Sequence, residues 1–103
     1  MGEHVRFAGV RKVIAGRMQQ SLQSTAQLTY HAKADVTAIY RLLPDWKAAG
    51  KAFGLQDCLI HALCRALAAN PLLNGNADEE GYAREAGVDL AMALSTKAGL
   101  LTP

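Results

Sequence analysis

A chain of 103 residues, half of them hydrophobic and 19% charged, has room for one domain with a modest core. Its net charge of +2 argues against nucleic acid as the main partner. No apolar run reaches the roughly 18–20 residues of a membrane span, and the composition leaves disorder to the ends.

The start, Met1-Gly2-Glu3-His4, lacks the charged-then-apolar pattern of a signal peptide. Cys58 and Cys64, with no such leader, read as reduced thiols and not as a staple. A soluble cytoplasmic protein is the expectation.

Residues 1–9 read as an extended lead-in punctuated by Gly9. Val10, Val13, Ile14, Met18 and Leu22 then keep helical spacing, which predicts an amphipathic helix over residues 10–25. Arg11, Lys12 and Gln19 face water in that helix, and Arg17 sits at the edge of its apolar face. From Gln27 to Val36 the period changes. Leu28, Tyr30, Ala32, Ala34 and Val36 alternate with Thr29, His31, Lys33 and Asp35, the pattern of a half-buried strand. Thr37 is the predicted N-cap of a second helix carrying Ile39, Leu42, Leu43 and Trp46. Pro44 should kink that helix or restart it. Gly50 and Gly54 bracket a short connection.

The stretch Leu55–Asn74 is the element around which the rest is organised. Asp57 can accept from the amides of a first helical turn. Leu59, Ile60, Leu63, Ala66 and Leu67 form one apolar stripe, and Pro71 ends the helix by pushing Asn70 out of helical geometry. Beyond Asn74 the Gly, Asn, Asp and Glu content marks a hairpin region, with Tyr82 to Arg84 as a short edge strand. Val88, Leu90, Met92 and Leu94 alternate with Asp89, Ala91, Ala93 and Ser95, the clearest strand pattern in the chain. Lys97-Ala98-Gly99 reads as a turn, and Leu100-Leu101-Thr102 begins a strand that stops at Pro103. An edge left that way has backbone groups for another strand to satisfy. The expected order is helix, strand, helix, helix, strand, strand, with no internal repeat.

Three patterns invite chemistry. His31 and Asp35 have the spacing of a histidine–carboxylate pair, but on a strand they lie roughly 13 Å apart at about 3.3 Å per residue, too far for a shared proton. Cys58, His61 and Cys64 would drift around a helix, and a closed zinc site needs four convergent ligands; inert thiols and no metal are expected. Arg6, Arg11, Lys12 and Arg17 lack interleaved aromatics and a helix-turn-helix partner, so a solvated helix face is favoured over a nucleic-acid site. There is no glycine-rich phosphate loop and no nucleophile elbow.

The order of segments says more. RKVIAGRMQQS resembles the R-K-x-I-A-x-R-M-x-x-S signature that opens the catalytic domain of dihydrolipoyl acyltransferases, the core components of 2-oxoacid dehydrogenase complexes. AQLTYHAKADVTAIYRL is similar to that family's next strand and helix. DCLIHALCRALAANPLLN resembles its long helix with the following P-x-L-N. VDLAMALSTKAGLLTP resembles its strand pair G-I-A-V-x-T-P-x-G-L-x-x-P. The likeness runs from about Val5 to Pro103. Departures are His61, where lysine is frequent, Ala98, where an acid or Asn is common, and Pro44, which has no usual counterpart.

The resemblance implies an α/β fold like chloramphenicol acetyltransferase, a two-layer mixed sheet with helices on one side, here about half a domain. Residues 10–103 would be its N-terminal half. It implies a trimer-based homo-oligomer, lipoyl-domain and dehydrogenase partners, and coenzyme A and lipoamide as substrates with no covalently bound cofactor. The family's H-x-x-x-D-G catalytic motif is not matched, because His31 to Asp35 lacks the glycine and aligns with an early strand. No catalytic residue is therefore assigned. Arg17, in the R-M of the signature, would support the reaction by orienting a catalytic aspartate that these 103 residues do not supply. A bidentate guanidinium fork suits that task. Thr96 and Leu100 would line the substrate channel. The sequence thus suggests an acyltransferase fragment that is inactive alone. The alternatives are a non-catalytic interaction module self-associating through its edge strand, and a helical adaptor without a sheet.

Overall fold

The computed structural model describes residues 2–103; Met1, the first residue of the expected lead-in, lies outside the described residues. The chain divides into two units, Met1–Lys33 with Leu94–Leu101, and Ala34–Ala93 with Thr102–Pro103. Three helices and two small antiparallel sheets make it a mixed α/β chain.

In the first unit, residues 2–8 have no regular secondary structure and lead into α1, Val10–Ser24. Gly9 begins the helix at φ 57°, and the last turn is tied by Ser24 Oγ donating to the Gln20 carbonyl at 2.8 Å. The predicted apolar face is present in register, yet Val10, Val13, Ile14, Met18 and Leu22 are all exposed. The strand expected over residues 27–36 is not formed, and Ala26–Val36 carries no secondary structure. Alternation only sorts side chains onto two faces. A strand also needs a second backbone for its amides and carbonyls, and none of the described residues supplies one. The unit also contains β3, Leu94–Thr96, paired with β4, Gly99–Leu101. Gly99, at φ 121°, takes a conformation that an L side chain resists.

The second unit starts at α2, Thr37–Ala48. The predicted N-cap is displaced. Thr37 is the first helical residue, and Asp35 Oδ1 accepts from both the Thr37 amide, at 2.9 Å, and the Thr37 hydroxyl. Pro44 neither restarts nor ends α2, which runs through it as one helix. The helix half-buries Ile39, Leu43 and Trp46 and packs against α3, Leu55–Ala69. In the connection, Trp46 and Phe53 meet edge to face, with centroids 5.8 Å apart at 90°, a geometry favoured by the ring quadrupoles.

α3 starts where Asp57 Oδ2 accepts from the Gly54 amide at 2.8 Å, one half of a capping box. It ends at Asn70, whose φ of −128° and ψ of 69° are not helical, as the following Pro71 requires. A 3-10 turn, Pro71–Leu73, follows. The single stripe expected on α3 is redistributed. Leu55, Cys58, Ile60, Cys64 and Leu67 are half-buried, whereas Leu59 and Leu63 remain 51% and 47% exposed. This helix is apolar around more of its circumference than one neighbour can cover.

The hairpin after Asn74 forms as the turn chemistry predicts. β1, Gly75–Ala77, pairs antiparallel with β2, Tyr82–Arg84. Asp78 Oδ1 accepts from the amides of Glu80 and Gly81 at 2.8 and 2.9 Å, closing the turn. The Tyr82 hydroxyl donates to the Leu72 carbonyl, which fastens the hairpin to the end of the α3 segment. Residues 88–93, expected as the clearest strand, form none; only Leu94 and Ser95 of that pattern are paired. The expected mixed sheet is thus replaced by two local hairpins. A two-residue turn makes the second one cheap to close, whereas parallel pairing needs a long crossover.

Among the described residues none is buried, and the chain exposes 9953 Å². A folded monomer of 11.0 kDa exposes roughly 5,600 Å² by the usual size scaling. Among the described residues there is no closed hydrophobic core.

Candidate functional site

The residues singled out from sequence lie on the first unit. Arg17 falls in the middle of α1 and is exposed, so its guanidinium is available to a carboxylate. Thr96 ends β3 and is half-buried. Its Oγ1 donates to the Gly99 carbonyl at 2.7 Å, so the hydroxyl is used to close the 97–98 turn. Leu100, in the middle of β4 and opposite Ser95, is 55% exposed. Thr96 and Leu100 are brought together by one hairpin.

The histidine–carboxylate spacing does not become a dyad. Asp35 spends its carboxylate on Thr37, and those two hydrogen bonds, side-chain first and backbone second, hold its pKa below the usual range. A group that prefers to stay ionised in this way is a poor proton carrier at neutral pH. The start of α2 is its evident task. The Asp-Val-Thr ahead of an apolar period was the available signal, and choosing Thr37 as cap missed it by two residues.

Cys58 and Cys64 are free and half-buried on α3. Among the described residues no three His, Cys, Asp or Glu side chains gather as a metal site, and no helix is long and apolar enough to cross a membrane.

Two grooves mark the surface. One in the second unit, about 210 Å³, is lined by Leu67, Ala68, Pro71, Asn74 and residues 85–88. It is framed by Glu85 N donating to the Asn74 carbonyl at 3.0 Å and Asn74 Nδ2 donating to the Gly87 carbonyl at 2.9 Å. The other, about 380 Å³ and open, is lined by Phe7, Arg11, Ile14 and Ala15. Neither contains a base beside a second titratable group.

A mixed α/β chain opened by the RKVIAGRMQQS helix and carrying a free arginine on it fits the acyltransferase class. The chain matches the family described as 2-oxoacid dehydrogenases acyltransferase (catalytic domain) over residues 2–103, and it belongs to that family. It is 36% identical, over 98% of its length, to the dihydrolipoyllysine-residue acetyltransferase component of the acetoin cleaving system of Bacillus subtilis (strain 168), covering 27% of that protein. It is 30% identical, over 96% of its length, to the mitochondrial dihydrolipoyllysine-residue succinyltransferase component of 2-oxoglutarate dehydrogenase complex 1 of Arabidopsis thaliana, covering 22%. The mitochondrial pyruvate dehydrogenase protein X component of Mus musculus is 28% identical over 93% of the chain, which covers 19% of it. The chain therefore spans about a quarter of the length of the curated relatives it matches.

Proposed function

We propose that this chain supplies the N-terminal half of a dihydrolipoyl acyltransferase catalytic domain, residues 10–103 behind a lead-in of residues 1–9. The reaction served is transfer of an acyl group between dihydrolipoamide and coenzyme A within a cytoplasmic 2-oxoacid dehydrogenase complex. The carrying observation is the family match along residues 2–103. The surrounding fold would resemble chloramphenicol acetyltransferase. It would be completed by the other half of the domain, by further copies in a trimer-based assembly, and by lipoyl-domain and dehydrogenase partners.

The chemistry divides accordingly. A base must take the proton from the attacking thiol, and donors must meet the oxyanion that develops on the thioester carbonyl. The chain carries no H-x-x-x-D-G sequence, and Asp35 is committed to Thr37. Arg17 would act at one remove, as a positioning residue that orients the missing catalytic aspartate with a two-pronged hydrogen bond. Leu100 would border the substrate channel. At Thr96 the side chain shapes that border through its hydrogen bond to Gly99 and does not offer a free hydroxyl.

On this reading the 103-residue chain is inactive alone. Acetyl, succinyl and branched-acyl transfer from coenzyme A to dihydrolipoamide by the purified chain should equal the uncatalysed rate. Turnover above that background overturns the assignment of catalysis to residues outside this chain.

A second reading, a non-catalytic module that self-associates, is favoured by the absence of any buried residue among the described ones. Light scattering over a concentration series discriminates: a strictly monomeric, cooperatively folded chain opposes it.

A further inference from the structure

Asn74 joins the end of the α3 segment to the β1–β2 hairpin, and of the chain's three asparagines it is the one followed by glycine. Asn70 precedes Pro71, whose nitrogen carries no hydrogen, and Asn76 precedes Ala77. In an Asn-Gly pair no side chain shields the next backbone nitrogen, so it can swing onto the Asn Cγ and close a succinimide ring. At Gly75 the hairpin requires that glycine. A Cβ there would meet the Ala83 carbonyl and lie 2.6 Å from Tyr82 Oη. The residue that lets the hairpin close is also the one that leaves Asn74 open to attack.

The closed hairpin withholds the reaction. Asn74 is half-buried and held at φ −112° and ψ 90°. By the tetrahedral geometry at Cα, that ψ puts the Gly75 nitrogen on the far side of the Cα–C bond from Cβ, out of reach of Cγ. Three hydrogen bonds resist the rotation. The Asn74 amide donates to the Pro71 carbonyl at 3.3 Å, its carbonyl accepts from the Glu85 amide at 3.0 Å, and its Nδ2 donates to the Gly87 carbonyl at 2.9 Å. The Tyr82 hydroxyl, donating to the Leu72 carbonyl, holds the hairpin down beside them. Ring closure therefore needs a local opening, and its rate follows the open fraction.

We propose that Asn74 is a site of spontaneous modification, guarded by the closed hairpin, whose product keeps the hairpin from closing again. The bond from the Gly75 nitrogen to the Asn74 Cγ forms, the Cγ–Nδ2 bond breaks, and ammonia leaves with the amide proton. Water then adds to either carbonyl of the succinimide and opens it to aspartate or to isoaspartate. Both products lose the donor to the Gly87 carbonyl. Isoaspartate also inserts a backbone atom ahead of Gly75, which displaces the Gly75–Arg84 pairing and the carbonyl that Glu85 meets. The groove walled by Asn74 and residues 85–88 loses its frame with them. This chemistry uses residues 70–88 alone and stands apart from the acyl-transfer reading.

The test follows amide loss at each asparagine by peptide mass analysis of the unaltered chain, folded and unfolded in guanidinium chloride, at one mildly alkaline pH. In the unfolded chain Asn74 should react first. In the folded chain it should react about tenfold or more slowly. Tyr82→Phe, which removes the hydrogen bond to Leu72, should speed the folded-state reaction by about two- to tenfold, the shift in opening expected for one hydrogen bond. Hydrogen exchange should show Glu85 unprotected in the modified fraction and protected in the unmodified one. Equal rates folded and unfolded, another asparagine reacting ahead of Asn74, or a Tyr82→Phe rate at or below the parent's overturns the proposal. A modified fraction that keeps Glu85 protected overturns it equally.

Discussion

Pro44 is the residue of the second unit where local chemistry and observed structure disagree most. It is the eighth residue of α2, well past the first turn where a missing amide costs nothing, and the helix continues through it to Ala48. The Tyr40 carbonyl loses its i+4 donor, and the ring crowds that same turn. Relative to alanine in a helix interior the penalty is about 3 kcal/mol. Proline also restricts the unfolded chain, which returns about 0.4–1 kcal/mol. Pro44→Ala should therefore stabilise this unit by about 2 kcal/mol. At a urea dependence of about 1–3 kcal/mol per molar, the midpoint should rise by about 0.7–2 M. Trp46, two residues on and in contact with Phe53, reports the transition by fluorescence, and far-UV dichroism should show added helix. An unchanged or lowered midpoint would refute the reasoning, and would mean that the freed Tyr40 carbonyl serves a contact that alanine cannot make.

Two other outcomes follow from single positions. Gly75→Ala should disrupt the β1–β2 hairpin, because a methyl group there meets the Ala83 carbonyl and lies 2.6 Å from Tyr82 Oη. Overpacking of this kind costs about 1–3 kcal/mol, and loss of amide protection at Glu85, which donates to the Asn74 carbonyl, is the readout. The depressed pKa of Asp35 gives α2 a contribution that is complete above the ordinary carboxylate value of the unfolded chain and is lost as pH falls through the folded value. Helix content should drop across that acid range in the parent chain, and the step should be missing in Asp35→Ala, whose helix is already weaker at neutral pH.

How much could be read in advance depended on the range of the forces involved. α1 and α3 rest on a 3.6-residue period and on stops such as Pro71, all local, and both appear within a residue of their expected limits at most ends. The 75–84 hairpin and the 97–98 turn rest on Gly, Asn and Asp conformations, also local, and they appear too. Residues 27–36 and 88–93 were read as strands from alternation alone. Their existence as strands depends on distant backbone that the pattern does not contain, and they form no strand. The same boundary divides the site. Arg17's place on α1 was legible because the signature surrounds it on one helix, whereas the carboxylate proposed for it would belong to a motif these residues do not have.

The segments that form no strand and the unmatched motif point in one direction. A buried strand contributes by filling a hydrogen-bond ladder and covering an apolar face at once. Leu28 and Tyr30, at 76% and 86% exposed, do neither here, yet their alternation with Thr29 and His31 is regular. A sequence that needed no partner would gain nothing from that regularity and would carry the aggregation hazard of an open edge. Supplying a complementary strand should therefore order residues 27–36 before it affects α2 and α3, whose mutual packing is already made.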